Sequence, residues 1–212
     1  MTPPDHIVLV VDDDRRIRES LVDLLSTFDM NVATFGSATE YRAYSKPDVP
    51  ACLILDVQLP DINGLDLQGQ SGQENCPPIV FLTAHGDIPK SVRAIKAGAV
   101  DFLTKPFREA DLMKAIHAAL AQDRDTRRKR AKLAELNRRL LCLTPREREV
   151  LPLVVSGLLN KQAAAELGIS ETTVQIHRSN VMKKMGAESL ADLVRMAATL
   201  AVPIRHPRHA QG

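Results

Sequence analysis

Residues 7–25 read IVLVVDDDRRIRESLVDLL, an apolar run that ends in three acids and leads into a segment with helical spacing. The run IVLVV is typical of a strand that is buried on both faces of a parallel sheet. Apolar side chains then recur at the spacing of one helix face, at Ile17, Leu21, Leu24 and Leu25. The stretch therefore predicts a strand followed by a helix, the repeating unit of an α/β fold.

The same alternation returns four times before residue 121. The further apolar runs are NVATF (31–35), CLILD (52–56), PIVFL (78–82) and AVDFL (99–103). Five such units predict an α/β domain with a doubly wound, five-stranded parallel sheet over residues 1–121. The third helix, in GLDLQGQSGQ (64–73), contains interior glycines, so we expect it to be short or mobile.

The second half of the chain has a different pattern. Residues 122–142 contain eight basic residues and neither Pro nor Gly, which predicts a basic helical linker. Leu133, Leu136 and Leu140 add an apolar stripe, so this segment is either a solvated helix or one that pairs with a second copy. Residues 143–203 read as a small all-α domain of four short helices, and residues 204–212 as a disordered tail.

Charge is distributed unevenly between the two halves. Residues 1–120 hold 11 Lys and Arg against 17 Asp and Glu, a net charge of −6, whereas residues 121–212 hold 17 against 9, a net charge of +8. An acidic half is consistent with a cation site, and a basic half with a polyanion such as DNA. The two halves are therefore expected to have different partners.

Composition excludes two classes of protein. The longest apolar run is too short to span a bilayer, and the first residues have no basic segment of the kind that begins a signal peptide, so we expect a cytoplasmic protein. Cys52, Cys76 and Cys142 lie far apart without a CxxC spacing, so we expect free thiols rather than a zinc or redox site.

Polar side chains follow the predicted strands where each strand ends, at Asp12, Asp13, Asp56, Thr83 and Lys105. The carboxyl ends of parallel strands form the binding crevice of an open α/β sheet, so we expect these groups to converge. Three convergent carboxylates repel one another unless a cation joins them, and Mg²⁺ prefers oxygen ligands. Asp56 is then a candidate nucleophile toward phosphorus, with Lys105 as counter-charge and the Thr83 hydroxyl as hydrogen-bond donor.

Four motifs occur together: DD after the first strand, D-x-x-L-P-D-x-x-G from Asp56, T-A-H-G-D from Thr83 and K-P-F from Lys105. The set resembles the receiver domain of response regulators over residues 6–121, which implies a flavodoxin-like fold. The resemblance also implies that Thr83 is the switch hydroxyl, that Phe102 is the switch aromatic, and that the Lys105–Pro106 bond is cis.

The resemblance assigns roles to the acids. It implies that Asp56 accepts the phosphoryl group, that Asp13, Asp56 and the Val57 carbonyl ligate Mg²⁺ directly, and that Asp12 does so through water. A haloacid-dehalogenase-type phosphatase uses similar groups but needs an acid two residues after the nucleophile. Gln58 stands there, which disfavours that alternative.

Caps divide the C-terminal segment into helices. Thr144, Pro145 and Glu147 form a capping box for the first, and Ser170 and Gly186 bound the third. Two helices joined across L-G-I-S predict a helix-turn-helix. On the third helix one face is apolar, and the other carries Thr172, Gln175, Ile176, Ser179 and Lys183. Ile176 is either a contact for a thymine methyl or simply an exposed apolar residue.

Residues 143–199 resemble the LuxR-type DNA-binding domain through T-x-R-E-x-E-V-L, N-K-x-A-x-x-L-x-I-S and T-V-x-x-H-R-x-N-V-M-x-K-M. The resemblance implies that Gln175, Ile176 and Ser179 face bases. It gives as phosphate contacts Lys161, Thr173, Arg178, Asn180, Lys183 and Lys184. The domain order and the strings T-A-H-G-D-I and V-M-x-K-M are similar to the FixJ-like branch of the FixJ/NarL family.

The two resemblances together imply a non-enzymatic transcriptional regulator whose only chemistry is phosphoryl transfer to its own aspartate. The implied partners are a sensor histidine kinase, double-stranded promoter DNA, RNA polymerase and, after phosphorylation, a second copy of the chain. The alternative is a DNA-binding regulator that acts independently of phosphorylation.

Overall fold

The computed structural model describes residues 5–70, 76–84 and 88–203. The first of two compact units, Met1–Arg127, is built on a sheet. Its described strands are β1 Ile7–Val11, β2 Val32–Phe35, β3 Ala51–Asp56, β4 Ile79–Thr83 and β5 Asp101–Thr104. They form one parallel sheet in the order β2-β1-β3-β4-β5. The predicted doubly wound, five-stranded sheet is confirmed.

The sheet is covered on both faces, as the continuous apolar runs predicted. Every residue of β1, β3 and β4 is buried. Alternate side chains enter two separate cores, with Leu9, Leu53 and Phe81 in one and Val10 and Ile54 in the other. Because successive side chains of a strand point to opposite faces, a run without polar interruption supplies both cores.

Among the described residues, the helices that accompany the sheet are α1 Arg15–Ser26, α2 Ala38–Ala43, α3 Gly64–Gln70, α4 Ile88–Lys96 and α5 Glu109–Leu141. Asp14 and Ser37 cap the first two by accepting a backbone N–H from the first turn. Helix α3 is described over seven residues, up to the point where the described part of the chain stops. The later part of that glycine-containing stretch, residues 71–75, lies outside the described residues.

The chain divides into two compact units, Met1–Arg127 and Arg128–Gly212. The division falls inside the predicted linker, where α5 continues as one helix of 33 residues. Up to residue 203, where the description stops, the second unit adds four short helices, α6 Pro145–Val155, α7 Asn160–Leu167, α8 Glu171–Met185 and α9 Leu190–Thr199. Its core includes Val150, Val154, Val181, Met185 and Leu193.

The caps that define these helices lie where the sequence placed them. The Thr144 hydroxyl accepts the Glu147 N–H at 3.3 Å, and the Glu147 carboxylate accepts the Thr144 N–H at 2.8 Å. Gly168 and Gly186 end α7 and α8 in the left-handed conformation, with φ of 66° and 67°. Glycine adopts these angles without strain from a Cβ, so it stops a helix sharply.

Two further expectations concern the whole chain. The cysteines are free, with Cys52 buried, Cys76 half-buried and Cys142 exposed. In the part of the chain that the structure describes, none of the helices has the length and apolarity that crossing a membrane requires. The predicted disordered tail, residues 204–212, falls outside that part.

Candidate functional site

Three acids meet at the carboxyl ends of β1 and β3. Asp12 follows β1 and is buried, Asp56 is the last residue of β3 and is buried, and Asp13 is exposed. One carboxylate oxygen from each lies within 4.8 Å of the others. The predicted convergence is therefore present, with two acids in the wall of the pocket and one at its mouth.

Lys105 joins the two buried acids. Its Nζ lies 2.6 Å from Asp12 Oδ2 and 2.8 Å from Asp56 Oδ2. Burial lowers the pKa of Lys105, but the hydrogen bonds to both carboxylates outweigh it and leave the pKa above its ordinary value. Burial raises the pKa of Asp12 above its ordinary value despite the hydrogen bond from Lys105. A charged ammonium therefore offsets part of the repulsion between the acids.

The Asp12 and Asp13 backbone is held by Arg18, which belongs to none of the motifs in the sequence. Arg18 Nη1 donates to the Asp12 carbonyl at 2.6 Å and to the Asp13 carbonyl at 3.0 Å. The Asp14 N–H donates to Asp12 Oδ1 at 2.9 Å. The sequence signal was weak, because Arg18 is one of three arginines in the first turns of α1, with Arg15 and Arg16.

The loop after Asp56 is shaped by Gly64 and Asp61. The Gly64 N–H donates to the Val57 carbonyl at 2.9 Å, and a Cβ at Gly64 would overlap the carbonyl oxygen of Asp56. Asp61 accepts the Thr39 N–H at 2.9 Å and so contributes to capping α2. The D-x-x-L-P-D-x-x-G motif thus contains a close backbone approach at its glycine and a helix cap at its second acid.

The remaining predicted pocket residues lie on β4 and β5. Thr83 ends β4 and is buried, and Phe102 on β5 is half-buried with its ring centroid 6.0 Å from that of Phe81. The Lys105–Pro106 bond is cis, as the resemblance implied. The T-A-H-G-D motif is described only through Ala84, because residues 85–87 lie outside the described part.

The donor set suits a divalent cation. Asp12, Asp13 and Asp56 offer carboxylate oxygens within a small radius, and hard cations such as Mg²⁺ prefer oxygen ligands and retain several waters. The Val57 carbonyl keeps a second lone pair beside its bond to Gly64. The acidic pocket is therefore compatible with a divalent metal ion.

A second candidate surface lies on α8. Val174, Val181 and Met185 on one face are fully buried. The opposite face is exposed over the residues that the sequence placed there, Thr172, Gln175, Ile176, Ser179 and Lys183. Ile176 keeps 57% of its surface accessible among polar neighbours, so this helix leaves an apolar group available for an outside contact.

The predicted phosphate contacts have different surroundings. Lys161, Asn180 and Lys183 are exposed, and Thr173 is half-buried with its hydroxyl 2.8 Å from that of Ser170. Arg178 Nη1 donates to Asn160 Oδ1 at 3.3 Å and so connects α8 to α7.

Lys184 has a partner inside the second unit. Its Nζ lies 2.7 Å from Glu147 Oε2, and only 3% of the Glu147 side chain is exposed. The capping-box acid of α6 therefore holds the last turn of α8 as well. The sequence identified each residue of this pair but not their contact.

Two family models match the chain. One described as "Response regulator receiver domain" matches residues 8–117, and one described as "Bacterial regulatory proteins, luxR family" matches residues 141–197. The first coincides with the unit that contains the acidic pocket, and the second with the helices that surround α8.

Individual proteins are similar over nearly the whole chain. Nodulation protein W of Bradyrhizobium diazoefficiens is 50% identical over 97% of this chain and 91% of its own length. Transcriptional regulatory protein FixJ of Azorhizobium caulinodans is 40% identical over 94% of this chain and 95% of its own. The solved structure of the response regulator StyR, 44% identical, covers 92% of this chain and 98% of its own with a TM-score of 0.81.

Proposed function

The chain belongs to the response regulators that join a receiver domain to a LuxR-type DNA-binding domain, and we propose that phosphorylation of Asp56 controls its binding to promoter DNA. The observation that carries this proposal is the arrangement of Asp12, Asp56 and Lys105, in which one ammonium bridges two buried carboxylates. Such a pocket places a nucleophile and its counter-charge side by side.

The reaction at Asp56 is a phosphoryl transfer. A carboxylate oxygen attacks the phosphorus atom of a phosphohistidine on a sensor kinase, and the phosphorus–nitrogen bond breaks with its electron pair going to the imidazole. Oδ1 of Asp56 accepts the Gln58 N–H at 3.0 Å, which orients the carboxylate. Lys105 already lies 2.8 Å from Oδ2, where its charge offsets that of the incoming group.

Asp13, Asp56 and the Val57 carbonyl would hold Mg²⁺ directly, and Asp12 would do so through water. When bound, the ion supplies positive charge beside the transferred group. The Thr83 hydroxyl donates a hydrogen bond to a phosphoryl oxygen, and Phe102 turns into the space that Thr83 leaves. This coupled change is a population shift between two packings of β4 and β5.

The output is DNA binding by the second unit. Gln175, Ile176 and Ser179 read base edges from the exposed face of α8, and Lys161, Lys183 and neighbouring polar groups contact phosphates. The phosphorylated receiver forms a homodimer, so two recognition helices occupy adjacent half-sites. RNA polymerase is the partner through which binding changes transcription.

Phosphorylation is tested with Mg²⁺ and acetyl phosphate. Intact-mass analysis should show one phosphate that hydroxylamine removes. Asp56→Asn should abolish labelling, because an amide is a poor nucleophile, and Asp23→Asn, which changes an exposed acid on α1, should label fully. Labelling of Asp56→Asn at the wild-type level would show that another residue is the acceptor.

Control of DNA binding is tested by selecting bound duplexes from a random pool with and without acetyl phosphate. We expect a palindromic or tandem sequence that is enriched strongly only when the protein is phosphorylated. Equal enrichment of that sequence by wild type and Asp56→Asn would instead indicate a regulator that acts independently of phosphorylation.

A further inference from the structure

The C-terminal end of the recognition helix α8 is held by a residue of α5. Arg139 Nη1 donates to the Met185 carbonyl at 2.8 Å. The last carbonyls of a helix lack partners within it, and a cation there also interacts favourably with the helix dipole. Gly186 follows in the left-handed conformation, and a Cβ at this position would collide with the Arg139 guanidinium.

A contact within α5 also orients the Arg139 guanidinium. Its Nε donates to Glu135 Oε1 at 2.7 Å, one helical turn earlier on α5. Leu136 between them is 4% exposed, and Leu140 packs against the cluster that contains Val181 and Met185. The helix backbone, an ion pair and an apolar contact therefore limit where the guanidinium points.

The residues proposed to read bases lie on the same rigid helix. Gln175, Ile176 and Ser179 are in the first two-thirds of α8, whose first turn is held by the Ser170 cap. A base-edge hydrogen bond depends on the placement of the side chain in the groove. A hydrogen bond to a base edge is directional, whereas a Lys ammonium is a point charge on a flexible stem, so a small tilt of α8 should impair the base contacts more than the contacts to phosphates.

We propose that Arg139 is a positioning residue for DNA recognition, which it serves by holding the C-terminal end of α8 without touching DNA. This inference rests on the proposed function, because it requires that α8 reads sequence. It extends the DNA-reading machinery into the basic segment that the sequence predicted to be a linker.

Arg138 provides a matched control. It is the adjacent residue, carries the same charge and donates to the same Glu135 carboxylate, at 2.8 Å and 2.9 Å. Its side chain is 71% exposed, and no hydrogen bond of Arg138 to α8 is found among residues 5–70, 76–84 and 88–203. Both variants remove one positive charge and a contact with Glu135, two hydrogen bonds in Arg138→Ala and one in Arg139→Ala, but only Arg139→Ala removes the bond to Met185.

The experiment measures the dissociation constants of the full-length variants, phosphorylated with acetyl phosphate, on the selected duplex and on a scrambled duplex over a salt series. Relative to Arg138→Ala, Arg139→Ala should weaken binding to the selected duplex about tenfold, the effect of one impaired base contact, and leave scrambled DNA unchanged. The salt slopes of the two variants should agree. Arg139→Lys, which keeps a donor, should recover part of the loss.

The ratio of the affinity for the selected duplex to the affinity for the scrambled duplex separates a positioning role from simple destabilisation. A variant that is partly unfolded loses affinity for both duplexes by the same factor, so its ratio stays at the wild-type value. Equal ratios for Arg139→Ala and Arg138→Ala would overturn the inference while leaving the proposed function intact. If wild type itself fails to prefer the selected duplex, the proposed function fails and the inference fails with it.

Discussion

At the residue scale, Lys183 and Lys184 are adjacent cations with different surroundings. Lys183 is exposed, whereas the Lys184 ammonium is bound to the buried carboxylate of Glu147. The family resemblance implies a phosphate contact for both, and both lie in the last turn of α8. The structure indicates that Lys183 is available to DNA and that Lys184 connects α8 to α6.

The two lysines should therefore respond differently to removal. Lys183→Ala should weaken binding to all DNA sequences alike and lower the slope of log affinity against log salt by about one unit, because one phosphate contact is lost. Lys184→Ala should change that slope much less and instead lower the melting temperature. Titrations on selected and scrambled duplexes across a salt series provide the measurement. Equal slope changes for both variants would contradict the distinction.

The ion pair between Glu147 and Lys184 is expected to depend on pH. Burial raises the pKa of Glu147, but hydrogen bonds from Lys184 and Thr144 outweigh it, so the pKa in the folded protein lies below its ordinary value. The stabilisation is therefore complete above the ordinary pKa of about 4.3 and is lost as the pH falls through the folded value. Glu147→Gln should reduce the free energy of local unfolding at pH 7 by about 1–2 kcal/mol, since Lys184 is partly exposed.

Hydrogen exchange of peptides covering α6, corrected for intrinsic rates, measures that change. The difference between Glu147→Gln and wild type should shrink below pH 4, where the acid is already protonated in the unfolded state, and vanish below the folded pKa of Glu147. Glu149→Gln is the control, because Glu149 pairs with Arg146 on the exposed side of the same helix. A difference that is the same at pH 7 and at pH 3 would show that the charge of Glu147 is unimportant.

At the element scale, α5 is fastened to the sheet of the first unit by a buried acid. Asp123 Oδ2 accepts the Ala51 N–H at 2.9 Å at the start of β3, and the Arg127 Nε donates to the same oxygen at 2.7 Å. A second nitrogen of Arg127 pairs with Asp48. The Asp123 carboxylate thus provides the acceptor for the Ala51 N–H at the edge of β3. The two residues are 72 positions apart in the chain.

Loss of that acid should destabilise the first unit. Asp123→Ala leaves the buried Ala51 N–H without its acceptor, which should lower the free energy of unfolding by about 1–3 kcal/mol. Asp125→Ala is the matched control, since Asp125 is an exposed acid on the same helix. Urea unfolding followed by tyrosine fluorescence reports on this unit, because Tyr41 and Tyr44 both belong to it. Similar midpoints for the two variants would refute the assignment.

The elements themselves were largely predictable, because their signals are local. Apolar runs predicted the strands, Thr144 and Ser170 predicted helix starts, and Gly186 predicted a helix end. Each of these depends on the backbone within one turn or one strand. The predicted convergence of Asp12, Asp56 and Lys105 followed from one further rule, that parallel strands end at the same edge.

Contacts between distant segments were not predictable in the same way. Glu147 and Lys184 are 37 residues apart, Arg139 and Met185 are 46 apart, and Ala51 and Asp123 are 72 apart. Every such pair depends on how helices pack, and many charged residues in the sequence could satisfy the same partner. The pattern thus located the candidate residues but could not separate Lys183 from Lys184 or Arg138 from Arg139.

At the scale of the whole molecule, the net charges of −6 and +8 belong to two units with separate cores. The proposed link between their activities is assembly: a phosphorylated receiver that pairs brings two DNA-binding units together. The receiver offers an apolar surface for this on α4, where Val92 and Ile95 are each 46% exposed beside Arg93 and Lys96.

Phosphorylation should convert the protein from monomer to dimer through α4 and β5. Ile95→Ser removes exposed apolar surface from α4, so this variant should sediment as a monomer at micromolar concentration even when phosphorylated. Because Ile95 is remote in sequence from the pocket residues and exposed, it should still take up one phosphate. Sedimentation velocity before and after treatment with acetyl phosphate, with intact mass measured on the same samples, tests both statements.

Phe28→Ser is the control for nonspecific loss of apolar surface, since Phe28 is 43% exposed but follows α1. It should dimerise like wild type. An Ile95→Ser variant that dimerises as well as wild type would place the interface on another face of the receiver. A wild type that remains monomeric after full phosphorylation would show that phosphorylation does not cause dimerisation. In that second case two half-sites could be filled only by independent binding, and occupancy would rise with protein concentration without cooperativity.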